Sequence, residues 1–216
     1  RLSLEEAARQ VRYNFLAKVA IDQQADAVAL GHTANDQAET VLMNIIRGSG
    51  LSGLRGMESI VTHNINCNET VLVRPLLGLW RQDTEAYCHA LGLQPRHDTS
   101  NLSLDFTRNQ VRLKLFPYME KYNPSIQNSL LRLSHSATRD LEYIESQVAH
   151  AWKSVVTHER DKIILDRGVF SHLPPSIQGH LLRKAFLAVK GSLKGVEHIH
   201  IEGMLLIMLG SAGRSI

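Results

Sequence analysis

The feature that most constrains the fold is a change of rhythm near residue 27. Upstream, Leu4, Ala8, Val11, Phe15 and Val19 recur at helical spacing up to about Ala25, and Ser3 with Glu6 has the spacing of a capping box. A short apolar run, Ala27 to Leu30, follows; it is too brief for another helix and is ended by Gly31. From Thr33 to Arg47 the helical period returns, with Asp36 and Glu39 in the first turns and Arg47 in the last, as the helix dipole favours. Helix, strand, turn, helix is the rhythm of an α/β protein with a parallel sheet. With 216 residues, 44% of them hydrophobic, the chain has room for one medium or two small domains and a true core.

Ligands of such sheets gather at the carboxyl ends of the strands, and His32 directly follows one. His32, Asp36 and Glu39 stand at i, i+4 and i+7, on one helical face and its lead-in. Two readings fit: a helix N-terminus capped by acids for structural reasons, or a divalent-metal site built from a histidine and two carboxylates. Spacing does not separate them.

Gly48, Gly50 and Gly53 match the GxGxxG dinucleotide fingerprint, but that fingerprint must follow a strand, and this one follows a helix ending at Arg47. Gly48 and Gly50 read better as helix-stop glycines opening a mobile loop. Arg47 and Arg55 in this loop are within reach of phosphates.

The stretch GHTANDQAETVLMNIIRGSGLSGLRGM, Gly31 to Met57, is followed by RPLL at Arg74–Leu77, DTSN at Asp98–Asn101 and RNQVR at Arg108–Arg112. In order and spacing these resemble the tRNA(Ile)-lysidine synthetases of the PP-loop ATP pyrophosphatases, over roughly Leu4 to Asn128. The resemblance implies a Rossmann-like PP-loop domain, of which residues 1–122 would be the C-terminal part, and a mostly α-helical tRNA-binding or linker domain over 123–216. It implies a carbon–nitrogen ligase: ATP adenylates the C2 oxygen of the wobble cytidine of a tRNA(Ile) with a CAU anticodon, and the ε-amine of free L-lysine displaces AMP to give lysidine. ATP and Mg²⁺ would be the cofactors.

By the same resemblance Asp36 and Glu39 hold the lysine ammonium, with one of them, Asp36 the candidate, serving Mg²⁺ instead, and His32 positions the cytosine or its adenylate. Arg108 and Arg112, four apart on a predicted helix, present guanidinium groups to a phosphate or to the activated nucleotide. Without the resemblance that pair reads as a solvated helix face. Arg47, Arg55, Arg74 and Arg81, with the basic stretch 105–121, are candidates for tRNA backbone contacts. Two departures stand out. The family's SGGxDS phosphate loop occurs nowhere in the sequence, and Asn35 stands where the family often has a second Asp. Arg1 opens directly on helix-forming sequence, so a piece of a longer protein is expected, one that does not complete the reaction alone.

In the second half, Pro117 is expected to close a helix and Asn123–Pro124 to start a long one carrying Ile126, Leu130, Leu133, Ala137, Leu141, Ile144 and Val148 on its apolar face. Ile163–Leu165 reads as a strand or loop anchor, and Pro174–Pro175 opens a helix to about Val189. His198 and His200 form an HxH pair of the kind that binds zinc, but Gly203–Leu209 continues as a helix.

No apolar run is long enough to cross a bilayer, and no secretory signal is evident, so a soluble cytoplasmic protein without a membrane partner is expected. A net charge of +3 permits an anionic partner. Oligomeric state stays open, a homodimer included. Two other functions compete: a tRNA cytidine thiolase, which Cys67 and Cys88 serve poorly because they form no CxxC pair, and a noncatalytic RNA-binding module whose carboxylates merely cap a helix.

Overall fold

The computed structural model describes residues 4–65, 68–96, 102–159, 162–193 and 195–210. Ser3, Cys67 and Asp98–Asn101 lie outside the described residues, and with them the predicted capping box and the DTSN segment. The chain forms two compact units, Arg1–Thr138 and Arg139–Ile216.

The first unit is α/β. Helix α1 (Leu4–Asp22) leads to strand β1 (Val28–Ala29), then α2 (Ala34–Ile46), α3 (Leu51–Leu54), the hairpin β2 (Ile60–Ile65) and β3 (Asn68–Val73), and α4 (Arg81–Ala90). The strand order is β1-β3-β2, with β1 parallel to β3 and β2 antiparallel to it. The amide of Leu30 continues the parallel pairing by donating to the Val73 carbonyl. Sequence rhythm marks β1 but misses the hairpin, because the polar residues of β2 and β3 dilute the alternation on which strand reading depends.

Helix α1 rests on this sheet by an unexpected face. Val11 and Phe15 are 68% and 63% exposed, whereas Ala17 is buried and Tyr13, Leu16 and Ala20 are half-buried. Apolar residues occur on more than one face of α1, and the sheet selects the face at 13, 16, 17 and 20 rather than the predicted stripe.

A run of helix then carries α5 (Thr107–Gln110), a π-helical segment Val111–Leu115 and α6 (Phe116–Glu120). Pro117 stands in the first turn of α6, so it opens that helix instead of closing one. Its ring tolerates the position because the wider turn before it shifts the hydrogen bonding, with the Phe116 amide donating to Val111 O. Asn123 and Pro124 precede the long helix α7 (Ile126–Val155), where the Asn123 side chain accepts from the Ser125 amide. The core of the unit joins Ala38, Val41 and Leu42 of α2 to Val111, Phe116 and Leu130. That apolar seam docks the 107–120 run against α2 and places Arg108 and Arg112 opposite the acids of α2.

The second unit comprises the rest of α7, a hairpin of β4 (Val156–Glu159) and β5 (Lys162–Leu165), α8 (Arg167–Ser171), α9 (Pro175–Lys190) and α10 (His198–Leu209). Val148, Ala151, Val155, Phe170, Ile177, Leu181, Leu182 and Ile201 form its core. Pro175 starts α9 and Gly191, at φ 70°, ends it in the left-handed conformation that a helix stop of this kind requires.

Candidate functional site

The start of α2 is organised by its own side chains. Asp36 Oδ2 accepts from the Thr33 amide at 2.8 Å and from the Thr33 hydroxyl at 2.9 Å, and the Ala34 amide donates to Leu79 O. The first orphan amides of the helix are thereby satisfied. One turn on, Glu39 is 2% exposed and faces two guanidinium groups. Arg108 Nε donates to Glu39 Oε2 at 2.7 Å, Arg112 Nε to Oε1 at 2.6 Å, and Arg112 Nη2 to Oε2 at 3.0 Å. Arg108 Nη2 also reaches Asp36 Oδ1 and the Asp36 carbonyl, each at 3.2 Å. Arg112 lies 3.6 Å from Asp36 Oδ1. Two carboxylates and two arginines so make one network, sealed on the carboxylate side and partly open on the arginine side, where the side chains are 29% and 22% exposed.

Burial by itself raises the pKa of Asp36, but the Thr33 amide, Arg108 and the Thr33 hydroxyl together hold it below the ordinary carboxylate value. Burial opposes the charge of Arg112, and the bonds to Glu39 reverse that and raise its pKa. Both shifts favour the charged forms of Asp36 and Arg112.

In front of Arg108 opens a cleft of 890 Å³ lined by Arg9, Arg12, Tyr13, His32, His63, Arg74 and Phe106, with Glu58 as the one carboxylate among its described lining residues. Glu58 is held 3.1 Å from Arg55. Arg9 and Arg12 lie 5.3 and 5.7 Å from the ring of Tyr13, which stacks at 6.1 Å on His63. The cleft is strongly cationic and partly aromatic, the chemistry that receives phosphates and bases. His32 donates no charge to it: desolvation first, then Arg74, Arg108 and Arg12, lower its pKa against the pull of Asp36. Arg74 Nε donates to His32 Nδ1 at 3.3 Å, which assigns the ring proton to Nε2.

Of the residues singled out in the sequence, His32, Asp36, Glu39, Arg74, Arg108 and Arg112 come together here. Three placements bear on the expected roles. Asp36 and Glu39 do not line the cleft; their oxygens are taken by Thr33, Arg108 and Arg112, so a lysine ammonium would have to displace an arginine to reach them. The same occupation leaves Asp36 without a free oxygen pair for Mg²⁺, and no group of three or more His, Cys, Asp or Glu among the described residues is placed to hold a metal ion. Arg74 is 5% exposed, held by Glu58 O at 2.6 Å, and faces the cleft. Arg47 is exposed at the end of α2, and Arg81 is half-exposed at the start of α4.

Asn35 answers for the second acid that the resemblance leads one to expect. Its Oδ1 accepts from the Arg81 amide at 2.9 Å while its Nδ2 donates to Gln127 at 3.1 Å. An aspartate can only accept, so this pair of bonds uses the amide. The glycine loop is structural. Gly48, at φ 75°, stops α2 and Gly50 precedes α3. A side chain on Gly53 would strike Ser49 at 2.3 Å. In unit two, His198 pairs with Glu202 while His200 accepts from the Glu197 amide, so the HxH pair serves the helix end. Residues two apart on a helix point to different sides.

Sequence reading missed Arg9 and Arg12. Their signal is present in two arginines, four residues and one residue before an aromatic on α1, beside the more prominent apolar stripe. It also missed Gln37, whose buried amide donates to Arg55 O, Met57 O and Ser134 and accepts from the Met57 amide, pinning the loop after α3.

A family model described as a PP-loop domain matches residues 1–119. The chain belongs to the PP-loop family. Among curated relatives, the tRNA(Ile)-lysidine synthase of Dehalococcoides mccartyi is 36% identical over 216 residues, all of this chain and 46% of that protein. That of Clostridioides difficile is 37% identical over 206 residues, 94% of this chain and 43% of that protein. The chain thus spans under half the length of these relatives. A solved structure, the U34-tRNA thiolase NcsA from Methanococcus maripaludis with its 4Fe-4S cluster, is similar at a TM-score of 0.49 and 22% identity, covering 66% of this chain and 45% of that one. As a PP-loop chain it belongs to a family of ATP-using domains, and its braced arginines lie in the matched segment. No helix among the described residues is long and apolar enough to cross a membrane.

Proposed function

We propose that this chain carries part of the active site of a tRNA(Ile)-lysidine synthase. The complete protein would use ATP to adenylate the C2 oxygen of the wobble cytidine, with pyrophosphate leaving. The ε-amine of free L-lysine would then attack C2, losing a proton and displacing AMP. The observation that carries the reading is the cationic cleft whose Arg108 is braced from behind by Glu39 and Asp36. Both substrates of the first step are polyanions, and a guanidinium held by buried carboxylates is pre-aimed, so its charge acts with little reorganisation. Sequence identity to lysidine synthases along the whole chain supports the same assignment.

The residues divide the work as follows. Arg108, with Arg9, Arg12 and Arg74, neutralises phosphate in the cleft. Neutral His32, a donor through Nε2, hydrogen-bonds the cytosine or its adenylate. Asp36 and Glu39 act through Arg108 and Arg112 rather than by touching lysine. Arg47, Arg55 and Arg81 are proposed tRNA backbone contacts, and the helical stretch 123–216 is proposed to hold the tRNA body. The test is mass spectrometry of the wobble nucleoside after the complete protein is incubated with ATP, lysine and tRNA(Ile) bearing a CAU anticodon. Lysidine is the expected product; an unmodified cytidine, or a thiolated one, overturns the reading.

A further inference from the structure

Beyond the cleft, an exposed aromatic pair stands at and just past the end of the 107–120 helical run. Tyr118 and Tyr122 are 55% and 77% exposed, yet their rings hold a fixed edge-on geometry, with centroids 5.5 Å apart and hydroxyls 3.1 Å apart. The backbone beneath them is pinned: Phe116 is buried in the core, the Tyr122 and Asn123 amides both donate to Met119 O, and Met119 packs on the same core. Lys121 Nζ lies 5.7 Å from the Tyr118 ring, and exposed Lys114 stands one turn before it. Glu120 is the acid of this end, tied to Gln127.

We propose that Tyr118 and Tyr122 form a platform on which unpaired bases of the RNA substrate stack, with Lys121 and Lys114 engaging the adjoining phosphates. The proposal rests on the RNA-modifying reading above. Rigid exposed rings beside lysines are what single-stranded nucleic acid uses: each base offers a π-face, and each phosphate a charge. A protein partner would bury such rings among apolar neighbours, whereas this pair has Lys121 and Lys114 beside it and its one neighbouring acid, Glu120, tied to Gln127. Tyr118 lies ten residues beyond Arg108 on the same helical run, at most about 15 Å along its axis.

The test uses the complete protein and a fluorescein-labelled anticodon stem–loop RNA, read by fluorescence anisotropy. Tyr118→Ala and Tyr122→Ala should each weaken binding about 5- to 150-fold, the range that loss of one base–aromatic stack produces, while Tyr118→Phe and Tyr122→Phe bind within about twofold. Lys121→Ala should lower the salt slope by about one, and the tyrosine variants should leave it unchanged. Alanine variants of unchanged circular dichroism that bind like the parent overturn the platform. So do phenylalanine variants as weak as the alanine ones, because hydroxyls and not ring faces would then carry the effect. A parent protein that makes lysidine while the alanine variants bind normally refutes the platform alone; a parent that binds no RNA refutes the platform and the functional reading together.

Discussion

Replacing Glu39 by Gln tests whether this carboxylate braces arginines or holds a substrate amine. The substitution preserves shape but removes a charge that is 2% exposed and accepts three hydrogen bonds from Arg108 and Arg112. Breaking a buried ion pair by removing one partner costs about 3–5 kcal/mol. Here the arginines are 29% and 22% exposed, and Asp36 Oδ1 remains for both. We therefore expect less than that range, about 2–3 kcal/mol once solvent access is allowed for. For a chain of this size that is a fall in Tm of about 4–12 °C. Thermal unfolding of the complete protein by circular dichroism gives the shift, and lysidine formation at varied lysine gives kcat and KM separately. Bracing predicts a lower Tm and a lower kcat. An unchanged Tm with a raised KM for lysine would refute it and restore direct contact between Glu39 and the amine.

Asp36 has a folded pKa below its unfolded value, so the stability it contributes is present above about pH 4 and is lost as pH falls through the folded value. Asp36→Asn should therefore flatten urea-unfolding stability between pH 5 and the acid limit, and a parent-like slope would count against the ion pairs. His32 behaves in the opposite sense to a salt-bridged histidine: its pKa is lowered, so unfolding takes up a proton and stability drops as pH falls below about 6.5. Its ring resonances should titrate below that value by NMR, and titration above it would contradict the burial and the arginine neighbours. Gly56→Ala should destabilise by more than about 1 kcal/mol, because φ is 71° and the added carbon would sit 2.8 Å from the Gln37 amide. Gly48→Ala, at φ 75° but with open space around it, should cost less by chemical denaturation.

The sequence made α2, its acidic first turns, α7 and α9 legible, because each has a strong period and recognisable end residues. Arg108 and Arg112 were legible as a pair at helical spacing. What spacing cannot give is the partner across the fold: Glu39 meets Arg108 and Arg112 across 69 and 73 residues of chain. That separation is closed by the apolar seam of α2 against the 107–120 run, and once closed it sets the carboxylates against the arginines. Arg9, Arg12 and the β2–β3 hairpin escaped for a related reason. Local pattern reports which faces a segment has, and the tertiary fold decides which one is used.

The π-helical turn at Val111–Leu115 sets the angular phase of everything after it. A regular helix advances roughly 100° per residue, and this turn absorbs one residue more than such winding holds. Were the same residues wound as a regular α-helix, the downstream half would swing by that angle. Phe116 could then no longer point inward while Arg108 and Arg112 met Glu39. The irregular turn is thus the coupling that lets one rod satisfy a greasy pocket at one end and a charged one at the other.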